Sequence, residues 1–503
     1  MNRTILVMVG SVVALGLIFS VLVNNQSSRS RSRSESSEPL MLFCATSNRA
    51  VMEAIREDYE QEYHRSVEIQ YGPSQTLLSS LEISRAGDLF LPADDSYLEL
   101  GSEKELIAER LPIARMQAVV AVGRDNPKGI EKFSDLLRED VRLVLTNPES
   151  AAIGKLVRDK FQAVGQWDAL EQATTAMRAT VHEVANDVVV GAADACIVYD
   201  AVLHTYDSLT YIELPELADV SSQIAVGVVS TSAQPQAALH FARYLSSRDR
   251  GLNHYREHGF RVSGGDAWSD QPELSVFAGS MLRPAIEETI TAFEQREGIK
   301  VNRVYNGCGI LVAQMKAGQQ PDAYFACDTE FMNQVHDLFP EPVSVSRNEL
   351  VIMVQKGNPK GIATLKDLGR EGLRVGIGHE KQCAMGWLTQ NTFREGGVQQ
   401  EIMPNVTVQT PSGDMLVNQL RTGSLDAAVA YLSNAAGAGE FLDAIRIEGI
   451  DCSIATQPWA VAKESNYPAL ASRLFEQIVS APSQDVFAAE GFGWQLDTGV
   501  DKK

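Results

Sequence analysis

Basic side chains are in short supply. Against 65 Asp and Glu the chain sets only 44 Lys and Arg, a formal net charge of −21. The one basic cluster, Arg29, Arg31 and Arg33, sits in a serine-rich tail. Nucleic-acid partners need clustered Lys and Arg to neutralise phosphates, so the composition argues against them. A small anion is not excluded, because backbone amides hold one without any cationic side chain. Catalytic signatures are absent too: the sequence has no Ser-His-Asp constellation, no HExxH motif and no phosphate-cradling P-loop. The reading is therefore not an enzyme, and a chain with neither motor nor pore of its own. Cysteine is sparse, with six residues at 44, 196, 308, 327, 383 and 452 and no CxxC pair among them.

What the sequence does have is a repeat. Residues 126–130 read NPKGI and return at 358–362, and 358 − 126 = 232. The same offset places Asp135-Leu136 over Asp367-Leu368, Gly154 over Gly386, Tyr199 over Tyr431 and Gly259-Phe260 over Gly491-Phe492. Upstream, an offset of 234 places Phe43 over Phe277, Ser74 over Cys308 and Asp94 over Asp328. One domain type is written twice. The pentapeptide itself reads as a turn following a long strand.

Residues 4–23 are uncharged and mostly apolar, close to the roughly 20 needed to span a bilayer. The expected organisation is a transmembrane anchor or signal segment at 1–23, a disordered Ser/Arg/Glu tether at 24–39, a first domain at 40–262, a linker at 263–273 and a second domain at 274–497. An uncleaved anchor is favoured over a cleaved signal peptide, because 21–24 read VLVN, a poor cleavage site. Within the first domain, PLMLFCAT, SVEIQYG and GDLFLPAD read as strands. The intervening segment carries Val51, Ile55, Tyr59 and Tyr63 on one helical face. This βαβαβ order predicts an α/β fold with a parallel sheet, each repeat divided into two lobes around a ligand cleft.

Three strand-to-helix loops carry small or hydroxyl residues where a helix begins: Ala45-Thr46-Ser47, Gly72-Pro73-Ser74, and Pro148-Glu149-Ser150 running on to Gly154. A helix start exposes unpaired N–H groups and a positive dipole end, so these loops serve as N-caps or as an oxyanion site. Together with VAVGRDNPKGI, TNPESAAIGK and DACIVYDA, the stretches LFCATSNRAVMEAI, YGPSQTLLSSL and GDLFLPADDSYL resemble the periplasmic molybdate-binding protein family, within the type II solute-binding proteins of ABC importers. The likeness runs over about 40–260 and again over about 274–494.

The resemblance implies two tandem domains on the periplasmic side of a bacterial membrane, tethered through the N-terminal helix or released after cleavage. It implies that they capture molybdate or tungstate for an ABC permease. The implied site in the first domain is Ser47, Ser74, Ile153, Val181 and Tyr199, with Ile153 bulkier than the Ala usual there. His182, beside Val181, is read as packing or surface. In the second domain the implied positions are Ser280, Cys308, Met385, Gly413 and Tyr431, with Cys308 in place of the second serine. A membrane-tethered oxyanion or metal sensor without a transporter is the alternative.

Cys44 and Cys196 lie in apolar strands and read as small buried hydrophobes. Cys308, Cys327 and Cys383 fall near the second cleft. Three readings stay open for them: a disulfide between two, inert thiols, or a thiol metal centre with His379 nearby.

Overall fold

The structure, a computed structural model, describes residues 38–496. The expected anchor at 1–23 lies outside the described residues, as does nearly all of the tether. Among the described residues no helix is long and apolar enough to cross a membrane. The described residues divide into two compact units, residues 38–242 with 254–262, and residues 243–253 with 263–496.

The first repeat contributes β1 (Leu40–Ala45), β2 (Val67–Gly72), β3 (Leu89–Leu91), β4 (Ile107–Gly123), β5 (Leu143–Thr146), β6 (Thr174–Arg178), β7 (Ala195–Tyr199), β8 (Leu209–Ile212), β9 (Ser221–Val229) and β10 (Arg261–Val262). Four helices start at its cleft: α1 (Arg49–Tyr63), α2 (Ser74–Ser84), α3 (Ala152–Ala163) and α4 (Val181–Val189). Strand order is β2-β1-β3-β9-β4-β7-β5-β6, with β8 and β10 also paired to β4.

The second repeat runs through β11 (Glu273–Gly279), β12 (Lys300–Asn306), β13 (Ala323–Phe325), β14 (Val343–Gln355), β15 (Val375–Gly378), β16 (Val406–Thr410), β17 (Ala427–Tyr431), β18 (Leu442–Arg446), β19 (Ile454–Val461) and β20 (Gly493–Trp494). Its cleft helices are α5 (Cys308–Lys316), α6 (Ala384–Glu395) and α7 (Gly413–Arg421). The order β12-β11-β13-β19-β14-β17-β15-β16 is the same permutation as in the first repeat.

Each sheet is mixed rather than parallel. β1 pairs with β2 and β3 in parallel, and β5 likewise with β6 and β7. β4 and β9 run against their neighbours. The sequence signals for β4 cover only its second half. The strand in fact starts at Ile107, pairs with β9 through Gln117, and then pairs with β7 and β8 from Ala118 onward, so a single strand passes through both lobes. Pro112, which has no N–H to give the ladder, is accommodated where the register with β9 shifts between Pro112 and Ala114.

Apolar periodicity explains the helices. Val51, Ile55 and Tyr59 are buried on one face of α1, and Tyr63 at its end is half-buried. The fully buried β7, ACIVY, and β17, AAVAY, are continuous apolar runs flanked by neighbours on both edges. NPKGI forms the same turn twice. Asn126 takes φ 41° and its side chain brackets Ile130, donating to the carbonyl at 2.9 Å and accepting from the N–H at 3.0 Å. Asn358 does the same to Ile362, at 2.7 and 3.0 Å.

Candidate functional site

In the first repeat, β1, β2, β5 and β6 each end where a short loop leads into a helix, so four helix starts meet at one place. Ser47 lies in a one-turn 3-10 segment ahead of α1; Ser74 and Val181 are the first residues of α2 and α4, and Ile153 is the second of α3. First-turn N–H groups have no intrahelical acceptor. No acceptor among the described residues takes those of Ser74, Ile153 or Val181. At α4 the reason is visible: Thr180 Oγ1 accepts from Glu183 N and Glu183 Oε2 accepts from Thr180 N, which leaves the Val181 amide over.

These residues surround a single cavity of about 20 Å³, and Tyr199 closes its floor from the end of β7. Room for one or two water-sized spheres suits a compact ion and is far below the volume an organic ligand needs. The structure thus brings Ser47, Ser74, Ile153, Val181 and Tyr199 together. The rest of the wall is mostly alanine (Ala45, Ala93, Ala151, Ala152 and Ala179), with no charged side chain among the lining residues. Ala93 and Ala179 were missed in the sequence, where only the smallness of loop residues hinted at them. Of the 148–154 loop, Pro148 and Glu149 stay off the cavity, and its lining comes from the residues after Ser150.

Donors are aimed but unused. Ser74 Oγ accepts from Ala93 N at 3.0 Å, so its own proton is free. Ser47 Oγ and Tyr199 Oη are buried without a hydrogen-bond partner. The Ser222 hydroxyl beside Tyr199 donates to Ala93 O and Asp94 Oδ2, and its nearness offsets part of the rise in the phenol's pKa. A buried unpaired hydroxyl costs about 1–3 kcal/mol, a cost that a ligand oxygen would remove. Burial, with Asp94 adding to it, holds the Tyr199 phenol well above its ordinary range, so it stays a neutral donor. His182 is half-buried, and burial, then the Arg49 guanidinium, pull it below its ordinary value.

The second repeat keeps the frame and changes the contents. β11 pairs with β13 at Val276↔Ala323, as β1 pairs with β3 at Leu42↔Leu89, which fixes the offset at 234 for this loop. Ser280 therefore stands at the place of Thr46, and Met281 at that of Ser47. The expectation that Ser280 retains the first serine is corrected accordingly. Met385 is the second residue of α6 and Gly413 the first of α7, as Ile153 and Val181 are in α3 and α4. Tyr431 ends β17, buried, with its Oη unpartnered.

Cys308 and Cys327 form a disulfide. The thiol metal centre is corrected on this ground: two of its three sulfurs are consumed, and Cys383 Sγ faces His379 O and Thr410 O at 3.6 Å. Among the described residues no group of three or more His, Cys, Asp or Glu is placed to hold a metal. Burial pushes the Cys383 thiol up to about 11. Cys44 and Cys196 are fully buried, with burial holding both thiols neutral.

Asp328, the counterpart of Asp94, is buried behind Tyr431, and burial pushes its carboxyl from 3.8 up to about 6. A carboxyl raised on folding stabilises below its unfolded pKa, and that contribution is lost as pH climbs through about 6. Some two units correspond to about 3 kcal/mol. Asp328→Asn is therefore expected to flatten the change in unfolding free energy between pH 4 and pH 7. Urea titrations of both chains at the two pH values check this, and an unchanged slope refutes the assignment.

The profile of the family described as bacterial extracellular solute-binding protein matches residues 40–261 and again 274–493. The chain is 27% identical over 223 residues to a molybdate-binding protein of Mycobacterium tuberculosis (strain ATCC 25618 / H37Rv), covering 44% of this chain and 84% of that one. Among solved structures it is similar to the periplasmic molybdate-binding protein of Azotobacter vinelandii, at 15% identity and a TM-score of 0.39, over 44% of this chain and 99% of that one. It is also similar to a sulfate-binding protein of Mycobacterium tuberculosis H37Rv, at 17% and 0.40, over 46% and 89%.

Proposed function

Because this chain belongs to the bacterial extracellular solute-binding protein family, in two successive copies, we propose that its first cleft captures molybdate or tungstate for an ABC importer. The observation that carries the reading is one small cavity ringed by unused N–H and O–H donors, with no cationic side chain and no carboxylate in its lining. Such a cavity suits a fully ionised, compact dianion. Charge is met by helix dipoles and neutral hydrogen bonds that strengthen when one partner is ionised. A hydrogen phosphate needs an acceptor for its proton, and the lining side chains supply hydroxyls but no carboxylate.

Ser47 and Ser74 come from one lobe and Ile153 and Val181 from the other, so a bound anion bridges the lobes and favours their closure; the closed form is then the one that docks on the permease. A membrane tether through residues 4–23 would keep the protein near that partner.

The test is a thermal and calorimetric titration of the chain with molybdate, tungstate, sulfate and phosphate. Ligand at 100 times its dissociation constant is expected to add about 2.7 kcal/mol of stability, with molybdate or tungstate ahead of sulfate and phosphate last. No shift with any of the four refutes the proposal.

A further inference from the structure

The second cleft differs from the first at several places that act together. Where Ala45, Ser74 and Ala93 line the first cavity, the second repeat has Gly279, Cys308 and Cys327. A Cβ on Gly279 would collide with Cys327 Sγ, so the missing methyl makes room for the disulfide. Cys327 N donates to Cys308 Sγ at 3.0 Å, as Ala93 N does to Ser74 Oγ. The bridge therefore keeps the backbone contact while removing the proton that Ser74 has free. A disulfide sulfur donates nothing, and Met281, at the place of Ser47, donates nothing either.

The helix start that Val181 leaves open is also covered. A Cβ on Gly413 would collide with the Asn434 side chain, so the Asn434 carboxamide rests on the first residue of α7. Its Nδ2 donates to Asp414 Oδ1 at 3.2 Å. In the first repeat Val202 and His182 hold those two places. A carboxylate now stands beside the helix start in place of an imidazole, which disfavours an approaching dianion. The lobes touch in both repeats, through Gln75 N donating to Ser150 O at 3.4 Å in the first, and in the second so closely that Cβ atoms on Gly307 and Gly309 would collide with the carbonyls of Gln382 and Lys381. The first repeat has Pro73 and Gln75 there.

We infer that the second cleft is closed by its own side chains and rejects oxyanions, with Met281, the Cys308–Cys327 bridge and Asn434 as its specificity-determining residues. This rests on the reading of the first cleft only for the identity of the probe. The chain takes one oxyanion, in its first cleft.

Two measurements on the full chain in detergent test this. Calorimetry with molybdate is expected to give one site per chain, abolished by Ser47→Ala with Ser74→Ala. The combination Met281→Ser, Cys308→Ser, Cys327→Ala and Asn434→Val, which installs the first repeat's residues, is expected to add a second binding event. Two sites in the unaltered chain, or binding that survives the Ser47/Ser74 double substitution, overturns the inference. Hydrogen exchange covers the case in which the fourfold variant does not fold. The amides of Met385 and Gly413 are expected to be protected equally with and without molybdate, whereas those of Ile153 and Val181 gain protection only with it. Ligand-dependent protection at Met385 and Gly413 overturns the inference. A chain that takes no molybdate yet protects Met385 and Gly413 refutes the proposed ligand of the first cleft and supports closure of the second.

Discussion

A Tyr199→Phe chain is expected to unfold, without ligand, at the wild-type temperature or slightly above it, while binding molybdate roughly 10- to 150-fold more weakly. Both effects come from one atom. Tyr199 Oη is buried with no hydrogen-bond partner, so replacing it by hydrogen removes an unmet desolvation cost from the empty protein and leaves the ring packing intact. In the complex the same hydroxyl donates to an anion, and a hydrogen bond to a charged group contributes about 1.5–3 kcal/mol, which sets the range given. Calorimetry measures the affinity and a urea titration the stability. Unchanged affinity means that Oη does not touch the ligand; a large loss of stability means that it has a structural partner.

The second large effect is expected at a residue that offers no side chain at all. Gly154→Ala should lower the stability of the chain by about 1–3 kcal/mol and weaken molybdate binding. A Cβ there would lie 2.6 Å from Thr146 O and 2.8 Å from Asn147 C and O. These are backbone atoms of the turn between β5 and α3 and cannot swing aside as a side-chain tip would. Relief requires moving the first turn of α3, which carries the Ile153 amide to the cavity. Gly386 repeats the arrangement, its added Cβ colliding with His379. Gly437→Ala is the control: its φ is −76° and nothing lies within 4 Å of the added atom, so its urea profile is expected to match wild type within about 0.5 kcal/mol. Equal behaviour of the two variants would remove the packing argument.

Much of the first cleft was legible because its chemistry depends on local features. A serine or small residue at a strand end, followed by an apolar helical period, marks a helix start, and a helix start carries free N–H groups whatever fold surrounds it. All three helix-start loops read from the sequence contribute to one cavity for that reason, whereas Val181 and Tyr199 were implied only by the family resemblance. The second cleft was less legible. Ser280 was read as the retained first serine although the 234 offset that sets Phe43 over Phe277 already sets Ser280 over Thr46; the pairing of β11 with β13 bears that register out. The choice of Cys327 over Cys383 as partner of Cys308 was equally hidden, because the separation of 19 residues says nothing about which strand end lies against the start of α5.

By itself the sequence determined the duplication and the α/β class, since repeat offset and hydrophobic period are properties of short segments, while the five residues of the first cleft were named through the family resemblance. The tertiary structure decided strand direction, the course of β4 through both lobes with β9 antiparallel to its first half, the Cys308–Cys327 bridge and the seating of Asn434 on Gly413. Each of these is a contact between segments distant in the chain. Such contacts follow from packing, which residue types along one strand or helix do not encode.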